Sequence, residues 1–248
     1  MFKFKNAFTL AETLIVMGII GVVAALTLPN LNSSTGDKEK VAKVKKIYQN
    51  LSDAHDRAVA VYGPVNTWFI NDESAYKRYA DRILEFLKVS KYCENNTSGC
   101  FTNATPKDLT GSDGHDCWNF YNAGNDYRVI LSDGTSVFFH VWDKNCSGLK
   151  SPNSPVGDVC GWIAVDIDGP NKGANVLGKD IFKFNISVNS GIFPQYHYSS
   201  PNYTAEYDAA LTRCISTGEY CSLWVIENDN MDYLKCPEKL STTVTTCK

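Results

Sequence analysis

Residues 8–28 read Phe-Thr-Leu-Ala-Glu-Thr-Leu-Ile-Val-Met-Gly-Ile-Ile-Gly-Val-Val-Ala-Ala-Leu-Thr-Leu, an apolar run that carries a single charge, Glu12. At about 1.5 Å per residue, a helix over this run spans roughly 30 Å, the thickness of a bilayer's hydrocarbon core. A lone carboxylate in such a helix costs about 2.5 to 3.5 kcal/mol on insertion scales, so it predicts a partner in an assembled state. Ahead of the run, residues 1–7 (Met-Phe-Lys-Phe-Lys-Asn-Ala) hold Lys3 and Lys5. By the positive-inside rule these keep this end in the cytoplasm and send the remainder outward. A secretory signal is cut after its apolar stretch, whereas here the small residue, Ala7, precedes it.

Ala7 followed by Phe8-Thr9-Leu10-Ala11-Glu12 resembles the processing motif of the type IV prepilin family, which includes the pseudopilins of type II secretion. The resemblance covers about residues 1–62, with Ala where the family usually has Gly. It implies cleavage between Ala7 and Phe8 by a membrane prepilin peptidase and N-methylation of Phe8. It also implies that Glu12 is the family's acidic residue and that Pro29 is its helix-bending proline. The competing readings are a plain signal anchor, or a secretory signal cut near Ala24-Ala25. A signal's apolar region runs only about 7 to 15 residues, and an anchor has no use for the carboxylate.

Past Pro29, the small polar residues 30–36 predict a bend or loosening. Helical spacing then resumes. Val41, Val44, Tyr48, Leu51, His55, Ala58 and Tyr62 step by three and four, while Lys38, Lys40, Lys45, Lys46, Asp53 and Asp56 mostly face away. Gly63-Pro64 ends the pattern. Few heptads and poor seam residues such as His55 and Ala58 argue against a coiled coil, so packing on the chain's own sheet is expected.

A second helix is predicted over 73–90, with Tyr76, Tyr79, Ala80, Ile83 and Leu87 inward. Residues from Cys93 to about 126 are rich in Asn, Thr, Ser and Gly and read as a long disulfide-tied insertion. Residues 127–131 and 135–142 are strand-like around Ser132-Asp133-Gly134, a hairpin signal. Strands are further expected at 162–167, 180–188 and 223–226, and a short helix at 205–215. The fold class is therefore α+β: a long N-terminal transmembrane-to-amphipathic helix packed on an antiparallel sheet. The family resemblance implies the same pilin-like architecture. The expected division is a leader (1–7), a membrane helix (8–28), its amphipathic continuation (29–62) and a globular head (63–248).

The 248 residues leave a head large enough to bury a core. Net charge is -3, and taking Lys3 and Lys5 from the 24 basic residues leaves 22 against 27 acids. No net basic field favours nucleic acid, so none is expected as a partner. Nine cysteines lie beyond the apolar run, which fits an oxidising compartment. Without C-x-x-C pairs or zinc spacing, disulfides are expected. Cys93/Cys100 and Cys214/Cys221 each enclose six residues and suit local closure; Cys146/Cys160 and Cys236/Cys247 are further candidate pairs. The odd count leaves one thiol over, with Cys117 the candidate.

Residues 166–182, Asp-Ile-Asp-Gly-Pro-Asn-Lys-Gly-Ala-Asn-Val-Leu-Gly-Lys-Asp-Ile-Phe, loosely resemble a segment of many pseudopilin heads. Asp166, Asp168 and Asp180 could offer oxygen ligands to calcium, but the EF-hand pattern fails, since Leu177 stands where a bidentate Glu belongs. A turn built on Asx hydrogen bonds is the favoured reading, and no cofactor is expected otherwise. The histidines, His55, His115, His140 and His197, suggest surface or satisfied polar roles, and neither a Gly-x-Ser-x-Gly elbow nor a phosphate loop occurs. Trp68, Trp118, Trp142, Trp162, Trp224 and the aromatics of 193–203 read mostly as core. The Asn-x-Ser/Thr triplets at Asn96, Asn103, Asn145, Asn185 and Asn202 carry little meaning in a bacterial chain.

No enzyme is expected. The resemblance implies a bitopic subunit of the bacterial cytoplasmic membrane, head outward, that enters a filament after leader cleavage. Its partners would be the prepilin peptidase, other pilin or pseudopilin subunits and the inner-membrane assembly machinery, and Glu12 would pair with a neighbour's Phe8 amine. The favoured use is a type II secretion pseudopilus, as a minor subunit from the size of the insertion. The alternatives are a type IV pilus serving adhesion, motility or DNA uptake, and an anchored periplasmic binding domain.

Overall fold

A computed structural model of the protein describes residues 10–68, 75–94, 99–101, 105–114, 126–143, 145–147, 158–170, 172–196 and 203–248. Ala7, Phe8, Asn96, Asn103, His115, Cys117, Trp118, Asn171, His197 and Asn202 lie outside the described residues. So do the side chains of 24–35, Pro29 among them, and of 203–206.

The chain divides into two compact units, residues 1–39 and 40–248, and the boundary falls within the first helix. That helix, α1 (Leu10–Tyr62), is continuous over 53 residues. The polar stretch 30–36 is helical throughout. Ser, Thr and Asn disfavour a helix by less than about 0.7 kcal/mol each, and propagation from strong flanking turns outweighs that.

In the second unit, α1 buries Val41, Val44, Ile47, Leu51, Ala54, His55 and Ala58. The stripe is broader than the spacing of three and four suggested, because Ile47 and Ala54 also turn inward while Tyr48 and Tyr62 pack at its rim. The Tyr48 ring stacks on Phe184 with centroids 5.4 Å apart. His55, 2% exposed, shares a 3.0 Å hydrogen bond between Nδ1 and the Tyr79 hydroxyl, so its polarity is satisfied inside the core.

Helix α2 (Ala75–Leu84) is shorter than the expected 73–90. Residues 89–94 instead form β1 (Val89–Glu94), the first strand of the sheet. The apolar spacing up to Leu87 had masked the switch, and the Val-Ser-Lys-Tyr sequence is drawn into pairing with the next strand. The sheet continues through β2 (Asp126–Leu131), β3 (Ser136–Val141), β4 (Val159–Asp166), β5 (Ile181–Ser187) and β6 (Gly191–Pro194). Strand order follows chain order, and every pair is antiparallel. The β2–β3 hairpin turns at the expected residues: Gly134 sits at φ +90°, and its N–H donates to the Leu131 carbonyl at 3.0 Å.

Alternation sorts the strands' side chains. Val129, Val137, Phe139, Ile163, Val165, Phe182, Phe184 and Ile186 join the α1 stripe in one core, and Phe138, Trp162, Ala164 and Ile181 join Phe101 and Leu177 in another. Two helices follow, α3 (Tyr203–Thr217) and α4 (Cys221–Asn228). The strand expected at 223–226 is thus a helix. A four-residue apolar run does not distinguish a strand from a buried helical turn, and here Leu223, Trp224 and Val225 are all buried.

Four disulfides close local loops: Cys93–Cys100, Cys146–Cys160, Cys214–Cys221 and Cys236–Cys247. The fold is α+β with a six-stranded antiparallel sheet and these four cross-links.

Candidate functional site

In the first unit every described side chain of residues 10–23 is exposed. Leu10, Leu14 and Met17 form one row at steps of four and three. Ile15, Ile19 and Val22 form a second, and Val16, Ile20 and Val23 a third. Three such rows go round the helix rather than lining one face, and a helix apolar on all sides is stable only when surrounded by apolar material. Gly18 and Gly21 add open notches, since a Cβ at either would meet nothing within 4 Å. Glu12 lies in the first turn, where the partial positive charge of the helix N-terminus favours a carboxylate.

Among the described residues no helix is long and apolar enough to cross a membrane. The described side chains of the apolar run stop at Val23, about 21 Å of helix at the usual rise, and those of 24–28 lie beyond them.

The second unit brings together Asp166, Asp168 and Asp180, the three carboxylates of the calcium alternative. Among the described residues no group of three His, Cys, Asp or Glu side chains is placed to hold a metal ion. The turn chemistry takes them up instead. Asp180, fully buried, accepts the N–H groups of Ala174, Asn175 and Val176 at 2.5, 2.8 and 2.7 Å. Asp166 Oδ1 accepts the N–H groups of Asp168 and Gly169 at 3.2 and 3.1 Å. Asp168 points to α1, 3.6 Å from Lys40 Nζ and 3.2 Å from Lys43 Nζ, while Lys40 also donates to the Lys179 carbonyl at 3.1 Å. Burial first, then the charge of Asp180, push the Asp166 carboxyl up to about 7.

Sequence reasoning missed the lysine side of this loop. Its only trace was a pair of lysines three residues apart on a helix, which a solvated face also explains. It likewise missed the buried Asp126, which the β2–β3 register places opposite His140 and which pairs with His140 Nδ1 and, at 3.4 Å, with Arg128. The His140 ring lies between Trp162, at 5.0 Å, and Trp142, at 5.8 Å. Arg128 lies over Phe138 at 4.8 Å and Lys183 over Trp162 at 5.1 Å, so this sheet face holds its charges through pairs and rings.

An open groove of about 460 Å³ runs beside α1, floored by Ala54, Phe86 and Leu131. Its rim mixes Lys46, Arg57 and Lys88 with Asp53 and Asp133, and Lys46 already holds Asp133 at 3.0 Å. Comparison with family models, curated proteins and solved structures finds no match to the chain.

Proposed function

We propose that the chain is a non-catalytic structural subunit that inserts its N-terminal helix in the bacterial cytoplasmic membrane and then assembles through that helix into a filament. The favoured assembly is a type II secretion pseudopilus. The observation that carries this reading is the exposed apolar surface on all sides of residues 10–23. Burying each large side chain contributes about 1.5 to 3 kcal/mol, and no one-sided contact reaches all three rows. Lipid does so first, and a bundle of like helices does so afterwards.

Glu12 supports assembly over simple anchoring. In lipid its carboxylate is costly, and in a bundle the amino group that leader removal creates on a neighbour's Phe8 can neutralise it. Once formed, such a pair costs about 3 to 5 kcal/mol to break by removing one partner. The Asp-x-Asp-Gly segment at 166–169 favours secretion over a pilus, by its likeness to pseudopilin heads.

Mass spectrometry of the native N-terminus tests the reading. A chain beginning at methylated Phe8 is expected, and an intact Met1 in cells with active prepilin peptidase would sink it in favour of a plain anchor.

A further inference from the structure

We propose that the groove beside α1 receives Tyr92 and Glu94, carried on the outer edge of β1, from a second copy of the chain, so that neighbouring heads join knob to groove. The inference deepens the assembly reading and rests on it.

The rim charges of the groove are not equivalent. Lys46 is spent on Asp133 at 3.0 Å. Arg57 lies over the Phe86 ring, 4.7 Å from its centroid, at the edge of the apolar floor. Lys88 stands on the wall shared with the β2–β3 turn, where its carbonyl accepts the Ser132 N–H at 2.8 Å and the Ser132 hydroxyl at 3.0 Å. That wall is therefore fixed. Among the described residues neither Arg57 nor Lys88 is paired with a carboxylate, and Asp53, one turn before Arg57 on α1, is paired with no cation. With Lys46 and Asp133 cancelling, the groove presents two cations and one accepting carboxylate round an apolar floor.

The knob is on the sheet's first strand. Among the described strands β1 pairs with β2 alone, which leaves its outer edge without a partner strand. Tyr92, 58% exposed, is the most exposed aromatic ring among the described residues. Glu94 is exposed too, and no described cation is paired with it. Cys93 between them is buried, so the two side chains share the outward face. Both also act on the Tyr127 hydroxyl, which burial first, and then Asp81, Glu94 and Tyr92 among its neighbours, push up to about 12.

A single exposed ring is ordinary; what singles this one out is the match. The ring suits the floor of Ala54, Phe86 and Leu131, the carboxylate suits Arg57 and Lys88, and the Tyr92 hydroxyl supplies a donor for Asp53. Neither Tyr92 nor Glu94 lines its own groove. Glu94 stands six residues beyond Lys88 on the chain, about 20 Å at the usual strand rise. The two patches are different surfaces, so the contact is heterologous: each head keeps a knob or a groove for the next copy, and the pairing can repeat without closing.

Photo-crosslinking of the full chain, in bacterial membranes with an active prepilin peptidase, tests this. A tagged chain with p-benzoylphenylalanine in place of Tyr92 is expressed beside an untagged wild-type chain and irradiated, and the adduct is mapped by mass spectrometry. Attachment to residues 50–57 or 86–88 of the untagged chain is expected. Glu94→Lys in the tagged chain should cut the yield by about fivefold, and Arg57→Glu with Lys88→Glu in the untagged chain should then restore it. Adducts confined to other surfaces or other proteins, an undiminished yield in Glu94→Lys, or no restoration by the exchanged charges would overturn the proposal. The N-terminus of the same sample separates two kinds of failure. A methylated Phe8 without a groove adduct overturns this contact alone, and an intact Met1 without one overturns the assembly reading with it.

Discussion

Two buried groups of the head respond to pH in opposite senses, and single variants can take the two apart. His55 is held below its ordinary 6.5 chiefly by burial, with the Asp56 charge opposing. The unfolded chain therefore takes up that proton first: this contribution is intact above 6.5 and declines as pH falls below it. Between about pH 7.5 and pH 5.5 this contribution therefore falls. Asp166 runs the other way. Raised from 3.8 to about 7, it binds its proton in the folded state first, so the head gains stability as pH falls through 7 and loses it as pH rises. Over the same interval the gain is about 2 kcal/mol.

The wild type should thus show the difference of the two, and single variants should expose each. In Asp166→Asn the His55 contribution is no longer opposed by Asp166, and melting should fall on acidification. In His55→Gln, which can keep a hydrogen bond to Tyr79, Asp166 is no longer opposed by His55, and melting should rise by about 4–8 °C for a unit of this size. Intrinsic tryptophan fluorescence of the full chain in detergent, with Trp68 and Trp224 buried in the core, reads both slopes. Identical slopes in the two variants would refute the assignment of opposite signs, whatever their absolute stabilities.

Glu12→Ala should insert into membranes normally yet yield no filaments, as judged by crosslinking and microscopy; wild-type filaments from this variant would remove the reason for a charge in the apolar run. Gly161→Ala would place a Cβ 2.1 Å from the His140 carbonyl oxygen and 2.8 Å from Val141 Cα, so the β3–β4 pair must shift. A loss of about 1–3 kcal/mol or more in urea titration is expected, and a neutral result would mean the strands part without cost. Replacing both Cys214 and Cys221 by Ser should cost about 2–3 kcal/mol by the loop-closure entropy of a short ring, measured against the wild type under non-reducing conditions.

What could be read in the chain beforehand was what local chemistry enforces. The apolar run and Glu12, the stripe on 41–62, the Ser132-Asp133-Gly134 turn and the four cysteine pairs each depend on residues close in sequence. What failed depended on distant partners. Residues 89–94 became a strand because β2 offered an edge, and 223–226 became a helix because the apolar run was buried among helical turns rather than paired. Neither outcome has a local signature, since short apolar segments satisfy both periodicities.

The same division runs through the candidate site. The sequence by itself determined that residues 166–180 carry three carboxylates on a Gly-rich turn and that lysines stud α1, because composition and spacing are local properties. Only the tertiary structure decided that Lys40 and Lys43 close on Asp168 and that one oxygen of Asp166 is left buried without a partner, whereas the Asp180 bonds to backbone N–H groups four to six residues away are the Asx turn the sequence favoured. The lysine contacts reach across more than a hundred residues of chain, and the energy of a carboxylate is set by which groups surround it in space.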